Sequence, residues 1–264
     1  MSSRMFKNHP PTIQSLKAEF IEKNSELYSF SMVNAASQMI LYIYNPKEVV
    51  RIGLQYLVSD LSVCRADAGF ATPSHPSYTP IAEFCNPNTN PPSITGLVIP
   101  NHHQAMQLIW NSSVPVKYEK VEDNEALGDL RPPLINAGCK SMLLNKLMWG
   151  DEPIGIACID YTVHDHEWSM LEIKFMETFC AIFLGPLAAI SNYWFNPKMH
   201  SMFSKPTDSE LVAIRLAASG LSYKQIANKL GKSIRTVENQ FRNARKRLGA
   251  RNQIELIKKC DTWL

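Results

Sequence analysis

The chain has 264 residues, 45% hydrophobic and 19% charged, which excludes a disordered or fibrous protein and leaves room for one large domain or two ordinary ones. Its formal net charge of +3 hides an asymmetry: residues 202–264 carry 13 Lys/Arg against 5 Asp/Glu, and the first 201 residues carry 14 against 19. A small basic tail on a larger acidic body predicts two domains with different partners.

The opening stretch, MSSRMFKNHPP, holds no apolar core of signal-peptide length. Residues 12–28 have spacing compatible with an exposed N-terminal helix, so 1–30 are assigned to a helical extension. Further helices are predicted near 32–43 and over 46–62, where Pro46 suits a first turn and Val49, Ile52, Leu54, Tyr56 and Leu57 supply the apolar content. Strands are predicted at 67–72 and 78–85, followed by an Asn/Pro loop, NPNTNPPS, at 86–93. A helix over 101–111 and a short edge strand at 114–121 come next. The clearest hairpin is CKSMLLNKLMWGDEPIGIACIDYT at 139–162, with two strand-length apolar runs around a GDE turn. A long helix over 169–194, bent near Gly185-Pro186, closes the body. Its most apolar run, 178–190, is shorter than the roughly 20 residues a bilayer demands and reads as buried, so no membrane contact is expected.

That order predicts an α+β fold, an antiparallel sheet flanked by helices. The segment 31–194 resembles a GAF domain, chiefly through RPPLINAGCKSMLLNKLMWGDEPIGIACIDYT and the helix WSMLEIKFMETFCAIFLGPLAAI. The resemblance implies an α/β/α sandwich and a small-molecule pocket between sheet and helices. Candidate lining residues are Phe70, Phe84, Cys85, Leu108, Trp110, Trp149 and Cys158. Residues 195–205, polar and unpatterned, are assigned to a linker.

From Thr207 the local signals sharpen. TDSE at 207–210 and SYKQ at 222–225 are capping boxes, Gly220 and Gly231 stand where helices stop, and Ser233 caps a third helix from Ile234 to Leu248. Two short helices joined by a tight turn are the helix-turn-helix arrangement. Within LGKSIRTVENQFRNARKRLG, Val237, Phe241, Ala244 and Leu248 share one face, while Asn239, Arg242, Asn243 and Lys246 share the other. Amide and basic side chains suit base edges and phosphates.

The stretch TDSELVAIRLAASGLSYKQIANKLGKSIRTVENQFRNARKRLGARNQIELI is similar to the DNA-binding domain of LuxR/GerE-type regulators. The resemblance implies a four-helix domain over 206–264 with Ile234–Leu248 as recognition helix. By position Glu238, Asn239 and Arg242 would face bases, and Lys224, Lys232, Arg235, Arg245, Lys246 and Arg247 would mainly hold the backbone. Thr236 and Asn243 complete the candidate set. Gln240 stands where His is common in that family, and Arg247 where Lys is common.

The expected function is a cytoplasmic, small-molecule-controlled, sequence-specific regulator acting as a homodimer on double-stranded DNA. The expected control runs through the packing of helix 169–194, which would alter how two tails are spaced. The alternatives are a constitutive DNA-binding protein whose front half only dimerises, and an acyl-homoserine-lactone-like receptor with a divergent pocket. The Trp-x3-Tyr and Asp-Pro features associated with such receptors do not occur. No Gly-rich phosphate loop, Gly-x-Ser-x-Gly or His-Glu-x-x-His occurs either, so no enzyme is expected. The His102/His103 and His164/His166 pairs and six scattered cysteines lack metal-ligand spacing; neither metal nor cofactor is expected. Cys64, Cys85 and Cys139 are the candidate redox thiols, two of them beside a basic residue.

Overall fold

The computed structural model describes residues 11–195, 206–248, 250 and 252–260. The chain divides into two compact units, one ending at Phe195 and one beginning at Asn196. The linker expected at 195–205 lies outside the described residues except for Phe195, which ends a helix.

The front unit opens with α1 (Ile13–Leu16), capped by Thr12 and continued as a π-helical turn over Lys17–Glu22. This segment is not the exposed helix that its spacing suggested. Leu16 and Phe20, one turn apart, are 0% and 1% exposed. Helices α2 (Phe30–Leu41) and α3 (Pro46–Leu61) follow, with Pro46 in the first turn of α3 and Asn45 accepting from the amide of Glu48.

Seven strands come next: β1 (Arg65–Phe70), β2 (Ser77–Tyr78), β3 (Ala82–Cys85), β4 (Ile99–Pro100), β5 (Val116–Tyr118), β6 (Ser141–Trp149) and β7 (Glu152–Tyr161). Five form an antiparallel sheet in the order β3-β1-β7-β6-β5. The single strand expected at 78–85 is split. Pro80 offers no amide to a ladder, so Ser77–Tyr78 pair with Ile99–Pro100 while Ala82–Cys85 pair with β1. The hairpin β6–β7 turns at Gly150, which has φ of +63°.

Between the strands lie α4 (Gln104–Asn111), begun three residues later than expected because His103 caps it, and α5 (Arg131–Asn136), entered through a 3-10 segment at Glu125–Leu130. The unit closes with α6 (Met170–Phe179), a π turn at Cys180–Leu184, and α7 (Gly185–Phe195). The π turn answers Pro186: the amide of Gly185 bonds back to the Cys180 carbonyl, five residues away, immediately before the residue that cannot donate. A Cβ on Gly185 would sit 2.9 Å from the Met148 carbonyl oxygen, so glycine lets the helix lie on the backbone of β6.

Helix α3, the π turn and α7 lie on one face of the sheet, with α2 packed against α3 and α7; α4, the 3-10 segment and α5 cover the other. The run Met170–Tyr193, 24 residues long, reaches a mean hydropathy of 1.6 and is long and apolar enough to cross a membrane. Its apolar length is spent inside the unit, where Met176, Phe179, Phe183, Leu184 and Leu187 have no exposed surface.

The second unit contains α8 (Asp208–Ala218), α9 (Tyr223–Leu230), α10 (Ile234–Leu248) and α11 (Gln253–Cys260) around their own core. The fold class is therefore the expected α+β sandwich with an antiparallel sheet, followed by an all-α domain with four helices among its described residues.

Candidate nucleic-acid interface and sensor cavity

Each helix of the basic tail starts on a residue that satisfies its free amides. Thr207 and Glu210 form a reciprocal capping box on α8, and Ser222 and Gln225 form one on α9. Gly231 ends α9 in the left-handed region (φ +63°), and the amide of Lys232 folds back to the Ala227 carbonyl at 2.9 Å. Two residues later α10 begins, with Ser233 Oγ accepting from the amide of Thr236 at 3.1 Å. This tight turn aims α10 across α8 and α9. Val237, Phe241 and Ala244, all fully buried, meet Ala213, Ile214, Ala217, Ile226 and Ala227.

The opposite face carries the predicted interface. Arg235, Thr236, Glu238, Arg242 and Asn243 are exposed, as is Lys224 on α9; Asn239 and Arg245 are half-buried. The side chains of Lys246 and Arg247 lie outside the described residues. Arg235, Glu238, Asn239, Arg242 and Arg245 line one shallow depression. Lys232 stands apart, donating to Ser209 Oγ at 2.6 Å. Gln240 Nε2 donates to the same hydroxyl at 2.7 Å, so it fastens α10 to α8 instead of facing outward.

Tyr223 completes the depression, a residue the sequence reading did not select. Its ring packs on Phe241 with centroids 4.7 Å apart. Burial raises its phenol pKa; Arg245 opposes that rise and Glu238 adds to it. Its only sequence signal is an aromatic at the first position of a helix whose other early residues are polar.

In the front unit, a cavity of about 40 Å³ lies between the sheet and α4, the 3-10 segment and α5. Met106, Ile109, Leu127, Leu130, Leu134, Met142 and Leu144 make most of its wall. Its polar groups are Asp67, Tyr78, Tyr118 and Cys158. Tyr78 donates to the Ile156 carbonyl at 3.1 Å, while the buried Tyr118 hydroxyl has no hydrogen-bond partner. Asp67 is 2% exposed. Burial foremost, then the neighbouring Asp160 and Glu83, push its carboxyl up to about 8 against the opposing pull of Arg65.

Of the seven lining candidates, Cys158 alone borders this cavity. Trp110 is buried in the same apolar cluster, its indole donating to Asn101 Oδ1 at 3.2 Å. Phe70 is buried at the end of β1, Phe84 and Cys85 are half-buried on edge strand β3, Trp149 is half-buried at the hairpin turn, and Leu108 is 52% exposed.

Beside Asp67, on the same face of β1, Arg65 is fully buried. Its Nε donates to Asp160 Oδ2 at 3.1 Å, and Nη2 reaches the same oxygen. Nη1 binds the carbonyls of Ala137 (3.1 Å) and Pro92, and Nη2 also meets Cys139 Sγ at 3.1 Å. Burial alone would lower the guanidinium's pKa, but Asp160 raises it, so the charge is kept. The arginine thereby ties the 86–93 loop and the end of α5 to the sheet.

Cys139 is buried and pushed well up by that burial, and Cys85 is pushed up for the same reason. A raised thiol is the inert form, opposite to what its basic sequence neighbour suggested for Cys139. All six cysteines are free. Among the described residues no group of His, Cys, Asp and Glu is arranged to hold a metal ion.

Residues 212–248, from within α8 to the end of α10, match the family described as Sigma-70, region 4, a helix-turn-helix of the LuxR-type fold. The tail is a helix-turn-helix DNA-binding domain. The front unit is a five-stranded antiparallel sheet between helical layers. No curated protein matches the chain. Similar solved structures include a phycocyanobilin-bound GAF domain from a cyanobacterial phytochrome, 20% identical, covering 62% of this chain and 96% of that one, with a TM-score of 0.49. The GAF domain of an Acinetobacter phosphoenolpyruvate-protein phosphotransferase is 13% identical, with coverages of 63% and 96% and a TM-score of 0.44. Escherichia coli SdiA is 15% identical over 86% of this chain and 96% of its own, with a TM-score of 0.49.

Proposed function

We propose that the protein is a transcription regulator that binds a specific DNA sequence as a homodimer and answers to a small molecule held in its front unit. The observation that carries the DNA half is the depression on α10, where Arg235, Asn239, Arg242 and Arg245 gather on a helix anchored by the opposite face. Arginine and asparagine are the side chains that pair in forks with guanine and adenine, and the tail's excess of positive charge steers it to a polyanion. The sensing half is supported by the Asp67 carboxyl and the unpartnered Tyr118 hydroxyl at an apolar cavity. A ligand there would have an apolar body and at least one polar group able to meet both.

A front half that only dimerises is the second reading, and one observation favours it. At about 40 Å³ the cavity holds a water molecule or two, not a metabolite. The same unit also exposes apolar side chains. Phe30 is 86% exposed beside Ser31, which bonds Tyr56. The Tyr56 ring packs on Phe175, one turn from Leu171, itself 84% exposed.

The test is selection of genomic fragments by the purified full-length protein at physiological salt, with and without a small-molecule extract. Recovery of a short two-fold-symmetric site supports the DNA reading, and an extract-dependent change in its yield supports sensing. An enriched site indifferent to every extract fraction would leave the dimerising reading.

A further inference from the structure

The outward face of α10 is cationic with one exception. Arg235, Glu238, Arg242 and Arg245 recur at i, i+3, i+7 and i+10, so a carboxylate sits in the middle of a three-arginine stripe. Glu238 is exposed, and it stands four residues before Arg242, the favourable order for a helical ion pair. Yet among the described residues no ion pair joins it to Arg235, Arg242 or Arg245. It turns into the depression it shares with Tyr223 and Asn239.

Resting on the DNA reading above, we propose that Glu238 selects a cytosine, accepting a hydrogen bond from its N4 amino group in the major groove.

The argument is one of donor and acceptor inventory. An ionised carboxylate has acceptors only. Phosphate oxygens, guanine O6 and N7, and thymine O4 are acceptors too, so each repels it. The major groove offers two donors, the amino groups of cytosine and of adenine. Adenine places its N7 acceptor directly beside that amino group, against the second carboxylate oxygen. Cytosine has only a C–H there. A C·G pair therefore suits Glu238, and its guanine presents O6 and N7 to a neighbouring arginine of the stripe. Without such a partner the acid would do nothing on DNA but weaken the hold of three arginines.

The experiment is selection from a randomised duplex library by full-length protein, in parallel with Glu238→Gln and Glu238→Ala. Both changes fall on an exposed helix position, and far-ultraviolet circular dichroism confirms that each variant keeps its helices. The parent should enrich a site with a fixed C·G pair, and replacing that pair should weaken its binding roughly 5- to 150-fold. The Glu238→Gln protein should move that one position toward A·T, because an amide can donate to N7 while accepting from N6. The Glu238→Ala protein should lose preference there and keep the rest of the motif. A gain in affinity for all sequences alike on removing the acid, with the motif unchanged, would overturn the proposal while sparing the DNA reading. Failure of all three proteins to enrich any sequence would overturn both.

Discussion

Asp67 shows how burial rewrites a side chain's chemistry. Its carboxyl, pushed up to about 8, keeps its proton in the folded protein where an ordinary aspartate, titrating near 3.8, has lost it. Between those values the folded state holds the extra proton. The stability that follows is fully present below about pH 4 and is lost as pH rises through about 8. The slope approaches about 1.4 kcal/mol per pH unit for one fully linked proton. Asp67→Asn, neutral throughout, should flatten that dependence. Urea unfolding of both proteins from pH 5 to 8 measures it. A parent whose midpoint does not move with pH would refute the raised value. The residue also marks a limit of sequence reading: a strand is predicted from Asp67, but nothing in RADAGF says that both of its faces are covered. Only the pairing of β1 with both β3 and β7 shows that all six residues are buried.

Elements differ in how far their causes extend along the chain. The tail's helices were legible because a cap and its partner are three residues apart; TDSE and SYKQ contain both halves of each box. The hairpin β6–β7 was legible for the same reason. The cavity was not, because its wall is assembled from Tyr78, Ile94, Met106, Tyr118, Leu134 and Cys158, which only the sheet register brings together. The N-terminal segment failed on the same ground, since its spacing said helix but not whether anything covered Leu16 and Phe20. The contact between α7 and β6 gives a prediction at this scale. Gly185→Ala would drive a methyl to within 2.9 Å of the Met148 carbonyl. We expect the front unit to lose about 1–3 kcal/mol, as in overpacked cores, read from its denaturant midpoint. An unchanged midpoint would mean the helix can lift off the strand without cost.

At the scale of the whole molecule the uneven division of charge governs behaviour. The body's acids and the tail's bases keep the net charge at +3, so the protein is not a general polycation, and its attraction for DNA is local to one end. If Lys224, Lys232, Arg235 and Arg245 each meet a phosphate, the logarithm of affinity should fall with the logarithm of salt with a slope of roughly −3.6 per tail. Arg235→Ala should make that slope shallower by about 0.9 per tail on any sequence. Fluorescence anisotropy on a labelled duplex from 50 to 300 mM salt decides it. A loss confined to the selected site, with the slope intact, would reassign Arg235 to base reading.

The tightness of the cavity has a consequence for sensitivity. If the front unit holds its signal in this cavity, as proposed, a resting state that offers about 40 Å³ must open before a metabolite fits. The affinity seen in a cell is then the intrinsic affinity multiplied by the fraction of molecules open at any moment. Were that fraction about 1%, a ligand bound at nanomolar strength by the open form would be felt only near a tenth of a micromolar. Small changes in the packing of Met106, Leu127 or Met142 would shift that threshold without touching any group that recognises the signal, giving selection a dial for dose separate from the one for identity.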